Sequence, residues 1–205
     1  MFRRLLSTLR CTGCSRPLPT PLPACNNCGS ISPVAPSVPF HDLFDLPSRP
    51  NPFVVDPVLL KRRFRQAQAV CHPDSWASKG QHKQDIAQSL STRLNEAYTS
   101  LADPLKRAEY ILELNGLPIS ETEQLDNIEF ISEIMQVRES IDEAEDAEEL
   151  SKVVDENTGK IAKTINELEK AVGLEEWGRV KEGAVRLKYL EGIGAAARVK
   201  SEEIE

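Results

Sequence analysis

Apolar residues recur at helical spacing along most of the chain beyond residue 56. Leu60, Phe64, Ala67 and Cys71 fall at i, i+4, i+7 and i+11, which lines one face of a helix over 58–71. Asp56-Pro57 just before it supplies an N-cap and a proline suited to the first turn. A second stripe, Ile86, Leu90, Leu94, Ala97 and Leu101, predicts a helix over about 83–101. The two stripes bury each other as an antiparallel hairpin whose loop is 72–82. Before them, Phe40, Leu43, Phe44 and Leu46 form a short apolar element that packs on the hairpin. Asp103-Pro104 starts a further helix that ends at Asn115-Gly116, with glycine placed for the left-handed cap. The breakers near 116–125 suggest a domain boundary.

Residues 126–205 read as three helices with breaks near 145–148 and 172–175. Their main stripes are Phe130, Ile134, Val137 and Ile141; then Leu150, Val153, Val154, Ile161, Ile165, Leu168 and Val172; then Trp177, Val180, Ala184 and Leu187. Gly173 stands where a cap between the last two is expected. The pattern predicts an all-α chain, with a helical hairpin followed by an antiparallel three-helix bundle. Two apolar sets lie off the stripes. Ile128, Ile131 and Met135 sit on another side of the first bundle helix, and Val185, Tyr189 and Ile193 lie opposite the stripe of the third. Ile131, Met135 and Tyr189 can share an exposed patch, the kind of surface that binds a protein partner, although a bundle helix facing two neighbours also needs a wide apolar arc.

Charge divides the chain. The first forty residues hold four arginines and no other charged side chain, so the formal total of −7 leaves −11 on the remainder. A body this acidic argues against general nucleic-acid binding. No uninterrupted apolar run is long enough to cross a bilayer. Residues 1–10, MFRRLLSTLR, are amphipathic, arginine-rich and free of acids, as in a mitochondrial presequence. Ten of the fourteen prolines fall at or before Pro52, which leaves the helical body almost free of breakers.

Cys11/Cys14 and Cys25/Cys28 are two CxxC pairs separated by ten residues. Such pairs can place four thiolates around one structural Zn²⁺. The zinc reading is preferred to two others: a redox or disulfide-linked pair, and loss of Cys11 and Cys14 with a presequence. Residues 29–39 are a linker by composition. Cys71, on the apolar face of its helix, reads as a small buried thiol.

His72-Pro73-Asp74 occupies the tip of the predicted hairpin, after a helix carrying Lys61, Arg62, Arg63 and Arg65. Pro73 stiffens the tip, and Asp74 offers a carboxylate to an arginine on a partner. A nucleophile and a third group are missing, so no catalytic array is implied. A basic hairpin with this tip resembles the J-domain, the module that triggers ATP hydrolysis in DnaK-type heat-shock chaperones. Ser75 stands where lysine often follows the motif.

The paired cysteines, the J-like region and the helical bundle together resemble the HscB/Jac-type co-chaperones of mitochondrial iron–sulfur cluster biogenesis. The segments that carry this are 40–47, 64–74, 95–116, 130–139 and 187–190, within about residues 40–200. The resemblance implies a J-domain over 40–116 that needs no cofactor, and a bundle over 126–205 that binds the cluster scaffold protein. It places scaffold contacts on Phe130, Ile131, Met135 and Tyr189, with Glu133 and Gln136 as polar positions. Ile131 and Met135 stand where leucine is common. It further implies a mitochondrial matrix location, a DnaK-type partner and no enzymatic activity. Two other readings remain at this point: a general J-domain co-chaperone for unfolded clients, and a zinc-dependent nucleic-acid or redox protein.

Overall fold

The computed structural model describes residues 9–120 and 128–204. Residues 1–8 of the expected presequence and residues 121–125 of the expected break lie outside them. The chain forms two compact units, Met1–Asp103 and Pro104–Glu205. The units part before the helix opened by Pro104, not after it as the breakers at 116–125 suggest.

In the first unit, α1 (Phe40–Leu43), α2 (Pro57–Cys71) and α3 (Gln81–Ala102) surround the core. The Asp56 side chain accepts from the N–H groups of Val58 and Leu59 at 2.9 and 3.1 Å, and Pro57 opens α2, as its sequence predicts. Leu60, Ala67 and Cys71 of α2 are buried, as are Leu90, Leu94, Ala97 and Leu101 of α3. Leu43, Phe44 and Leu46 are buried too, and Phe64 stacks on Tyr98 with ring centroids 4.3 Å apart. The connection between α2 and α3 is a 3-10 segment, Pro73–Lys79.

Ahead of the hairpin, Ala24–Cys25 (β1) and Ser30–Ile31 (β2) form an antiparallel ribbon. Leu22, Ala24 and Ile31 are buried, and the ribbon packs on α2 and α3. The segment after it is no free linker. Arg93 on α3 donates to the carbonyls of Pro36 and Val38 at 2.6 and 2.7 Å. Prolines cannot donate, so a proline-rich strap satisfies its carbonyls from side chains of the body.

In the second unit, α4 (Pro104–Leu114), α5 (Ile128–Glu143), α6 (Ala147–Gly173) and α7 (Trp177–Ile204) pack together. Gly116 takes the left-handed conformation after α4, with φ of 72°. Asp146, inside the acidic run, caps α6 by accepting from the N–H groups of Glu148 and Glu149, both at 2.9 Å. Two glutamates in that first turn also suit the positive end of the helix dipole. At the other end of α6 the left-handed residue is Glu175, with φ of 56°, not the expected Gly173.

α7 contacts α4, α5 and α6. A helix with three neighbours is apolar on nearly all sides. Val185 and Ile193, opposite the main stripe, are therefore core residues that serve the wide apolar arc. Val154, by contrast, is 39% exposed, so the stripe of α6 is narrower than the sequence suggests. Buried Asn157 on α6 donates its Nδ2 to the Leu190 carbonyl of α7 at 2.9 Å. Asn157 also lines a cavity of about 100 Å³ with Ile134, Val137, Leu190 and Ile193.

Candidate functional site

Three places carry chemistry. The first is the hairpin tip. The side chains of His72 and Asp74 are 56% and 90% exposed, and their closest approach is 3.7 Å, so neither is committed to the other. The tip is held from beneath. Trp76 is fully buried, and its Nε1 donates to the Val70 carbonyl at 3.0 Å. That bond ties the 3-10 segment to the end of α2 and fixes the direction of the loop that carries His72, Pro73 and Asp74. A tryptophan in a loop lies outside any periodic pattern, and sequence reasoning missed it.

Lys61, Arg62 and Arg65 are exposed along α2, which contains no acidic residue. Arg63 is used internally: its Nη2 pairs with Asp45 at 3.0 Å. The free cationic face is therefore three residues wide. Such a face, ending in a rigid exposed carboxylate, suits an acidic partner surface that offers an arginine.

The second place is the cysteine cluster. Cys11, Cys14, Cys25 and Cys28 bring their sulfurs within 4.8 Å of one another. The short contacts run between the two pairs, Cys11 to Cys28 at 3.4 Å and Cys14 to Cys25 at 3.7 Å. These are far above a disulfide bond length. They approach the edge of about 3.8 Å that a tetrahedral zinc–thiolate site requires. The Cys14 N–H directed at Cys11 pulls that thiol down to about 6, and Gly13 adds a further donor. The Arg16 N–H lowers Cys14 in the same way. Cys28 is pushed up to about 12, chiefly by the Cys11 sulfur beside it. The backbone is thus arranged for thiolates, while the sulfurs repel one another unless a cation neutralises them. The four residues fit a structural metal such as zinc, which would supply the cross-link that this small ribbon lacks. Cys71, in contrast, is buried in apolar surroundings, and burial raises its thiol to about 11. It is an inert packing residue, as its position on the stripe suggests.

The third place is a face of α5 and α7. Phe130 meets Tyr189 edge to face, with centroids 6.1 Å apart. Arg186 lies over the Phe130 ring at 5.4 Å. Arg186 precedes Tyr189 by one helical turn, and this spacing was the available signal for it. Ile131 is half-buried, whereas Met135 and Ile128 are 67% and 85% exposed. Glu133 lies on the other side of α5 from Ile131 and Met135. Two residues along a helix turn it by about 200° from both Ile131 and Met135. It pairs instead with Lys160 of α6 at 2.6 Å. Gln136 is exposed one turn beyond Glu133.

A hairpin with an exposed His-Pro-Asp tip, followed by a separate helical unit, defines the class of J-type co-chaperones. The comparisons narrow the class. Residues 126–198 match the family described as the HSCB C-terminal oligomerisation domain. The co-chaperone protein HscB homolog of Burkholderia mallei is 37% identical over 130 residues, which cover 60% of this chain and 73% of that protein. The mitochondrial J-type co-chaperone jac1 of Schizosaccharomyces pombe is 37% identical over 150 residues, covering 72% of this chain and 65% of that one. The crystal structure of human co-chaperone protein HscB superposes with a TM-score of 0.81 at 26% identity, over 94% of this chain and 98% of that chain. The chain belongs to the HscB/Jac1 family of iron–sulfur cluster co-chaperones. The aligned region spans 50% of the iron-sulfur cluster co-chaperone protein HscB homolog of Arabidopsis thaliana.

Proposed function

We propose that this protein is a non-enzymatic adaptor that binds the iron–sulfur cluster scaffold protein through α5 and α7 and delivers it to a DnaK-type chaperone. The observation that carries the reading is the tip: an exposed Asp74 held rigidly by Trp76 at the end of an acid-free basic helix. Lys61, Arg62 and Arg65 steer the acidic chaperone surface. Asp74 engages an arginine there and couples docking to ATP hydrolysis. Phe130, Ile131, Met135 and Tyr189 form the scaffold contact, and Arg186 supports the Phe130 ring. Holding both partners raises the scaffold concentration at the chaperone and favours cluster release. The acid-free 1–10 segment and the mitochondrial name of the fission-yeast relative support action in the mitochondrial matrix. Among the described residues no helix is long and apolar enough to cross a membrane.

The test is calorimetry with the scaffold protein, together with ATPase assays of the chaperone. The full chain should bind the scaffold with micromolar or tighter affinity. Ile131→Ala combined with Met135→Ala should weaken that affinity tenfold or more. The scaffold and this protein together should stimulate the ATPase more than either alone. Stimulation without scaffold binding would turn the reading into a general co-chaperone for unfolded clients.

A further inference from the structure

The cysteine cluster is seated directly on the segment that carries the hairpin tip. Gly29 follows the candidate ligand Cys28, and its φ of +66° belongs to the left-handed region. Its N–H donates to the Cys25 carbonyl at 2.9 Å, which closes the second knuckle. Its carbonyl accepts from Lys83 Nζ of α3 at 2.7 Å. A Cβ placed on Gly29 would lie 3.5 Å from Cδ of Lys79, so the Lys79 stem rests against this glycine. Lys79 Nζ in turn lies 4.0 Å from the centre of the Trp76 ring, and Trp76 is bonded to the Val70 carbonyl. His72, Pro73 and Asp74 lie between Val70 and Trp76 in the chain. A continuous run of contacts therefore leads from Cys28 to the tip.

Charge reinforces the geometry. Four thiolates around one divalent cation leave a net charge of about −2, and the ammonium groups of Lys79 and Lys83 stand beside the knuckle that would carry it. Apart from such an ion, only a small ribbon core of Leu22, Ala24 and Ile31 holds the knuckle.

We propose that the cysteine module is a metal-dependent brace for the His72-Pro73-Asp74 tip, with Gly29, Lys79 and Lys83 as its positioning residues. Loading the four cysteines fixes Gly29, Gly29 orders Lys79 and Lys83, and Lys79 holds Trp76 under the tip. The value of a fixed tip rests on the co-chaperone reading; the existence of the brace does not.

Amide hydrogen exchange on the full chain tests it, comparing the zinc-loaded protein with protein stripped by a chelator under reducing conditions. Stripping should speed exchange across 73–82 tenfold or more, while amides around Leu60 and Leu94 keep their protection. In zinc-loaded protein, Lys83→Met should raise exchange in 73–82 part of the way. Lys83→Met should also weaken zinc binding, read by competition with a chelating dye. Unchanged exchange in 73–82 on stripping would overturn the brace. So would an equal loss of protection around Leu60 and Leu94, since the module would then support the whole unit and not the tip. ATPase assays on the same samples separate the two ideas. If loaded protein with a protected tip fails to stimulate the chaperone, the co-chaperone reading falls and the brace stands.

Discussion

The two docking faces differ in what their residues contribute to folding. At the tip, His72 and Asp74 are exposed and bear no packing load, because Trp76 and Val70 set their position from below. On the bundle, Phe130 and Tyr189 are half-buried and pack on a core that includes Ile134 and Leu190. The contrast follows from solvation. A carboxylate can be displayed to water at no cost, and it needs only a rigid backbone. An aromatic ring is tolerated at a surface when part of it is already covered, so the same ring serves the core and the partner. Function and stability should therefore separate cleanly at the tip and remain entangled on the bundle.

Asp74→Asn should have the largest effect. Losing a charge-assisted contact to a chaperone arginine costs about 2–5 kcal/mol, or roughly thirtyfold or more in chaperone stimulation. The melting temperature should stay within about a degree, since surface changes of this kind are nearly neutral. A clear drop in melting temperature would break the contrast. Tyr189→Ala should do the opposite. It should cost about 2–3 kcal/mol of bundle stability, read by chemical denaturation, and weaken scaffold binding as well. Tyr189→Phe keeps the ring and should restore most of the stability.

Cys71 sharpens the comparison through pH. The folded protein holds its thiol proton up to about 11, against an ordinary value of 9.0. Its contribution is fully present below pH 9.0 and is lost as pH rises towards about 11. The loss should be on the order of 2 kcal/mol and should vanish in Cys71→Ala. It should confine itself to the first unit, because residues 104–205 contain no cysteine. The smallest effect belongs to Met135→Ala. This 67% exposed side chain should change stability by less than about 0.5 kcal/mol and weaken scaffold binding about five- to tenfold. An equal loss of both would place Met135 with Tyr189 and remove the bundle's one clean probe.

The same contrast explains what was legible in the sequence. α2 and α3 bury one face each, so their stripes, with the Asp56-Pro57 start of α2, put boundaries close to those of the structure. The knuckle spacing likewise pointed to four converging sulfurs. α7 has neighbours on three sides, so it buries residues off its predicted stripe as well as Val180, Ala184 and Leu187 on it. This is why Val185 and Ile193, opposite the stripe, are core residues. Glu133 is a different case: a helical wheel alone turns it away from Met135, but matching it by segment set both on one surface. The contacts of Gly29 with Lys83 join residues 54 positions apart, a distance at which no local pattern carries information. The same limit hid the Arg93 strap, because a proline-rich stretch has the composition of a linker whether or not it is bound.

One residue of the bundle bears on how its long helices find their partners. α6 and α7 run 27 and 28 residues, and two apolar rods of that length can slide by a turn with little change in buried area. Asn157 breaks that near-degeneracy. In the native alignment its Nδ2 meets the Leu190 carbonyl, and its Oδ1 has no partner among the described residues at the cavity edge. In a slipped alignment the amide would lose its bond as well and be buried with nothing to pair with. The asparagine thus acts as an alignment key, giving up some stability so that the chain adopts one pairing out of several.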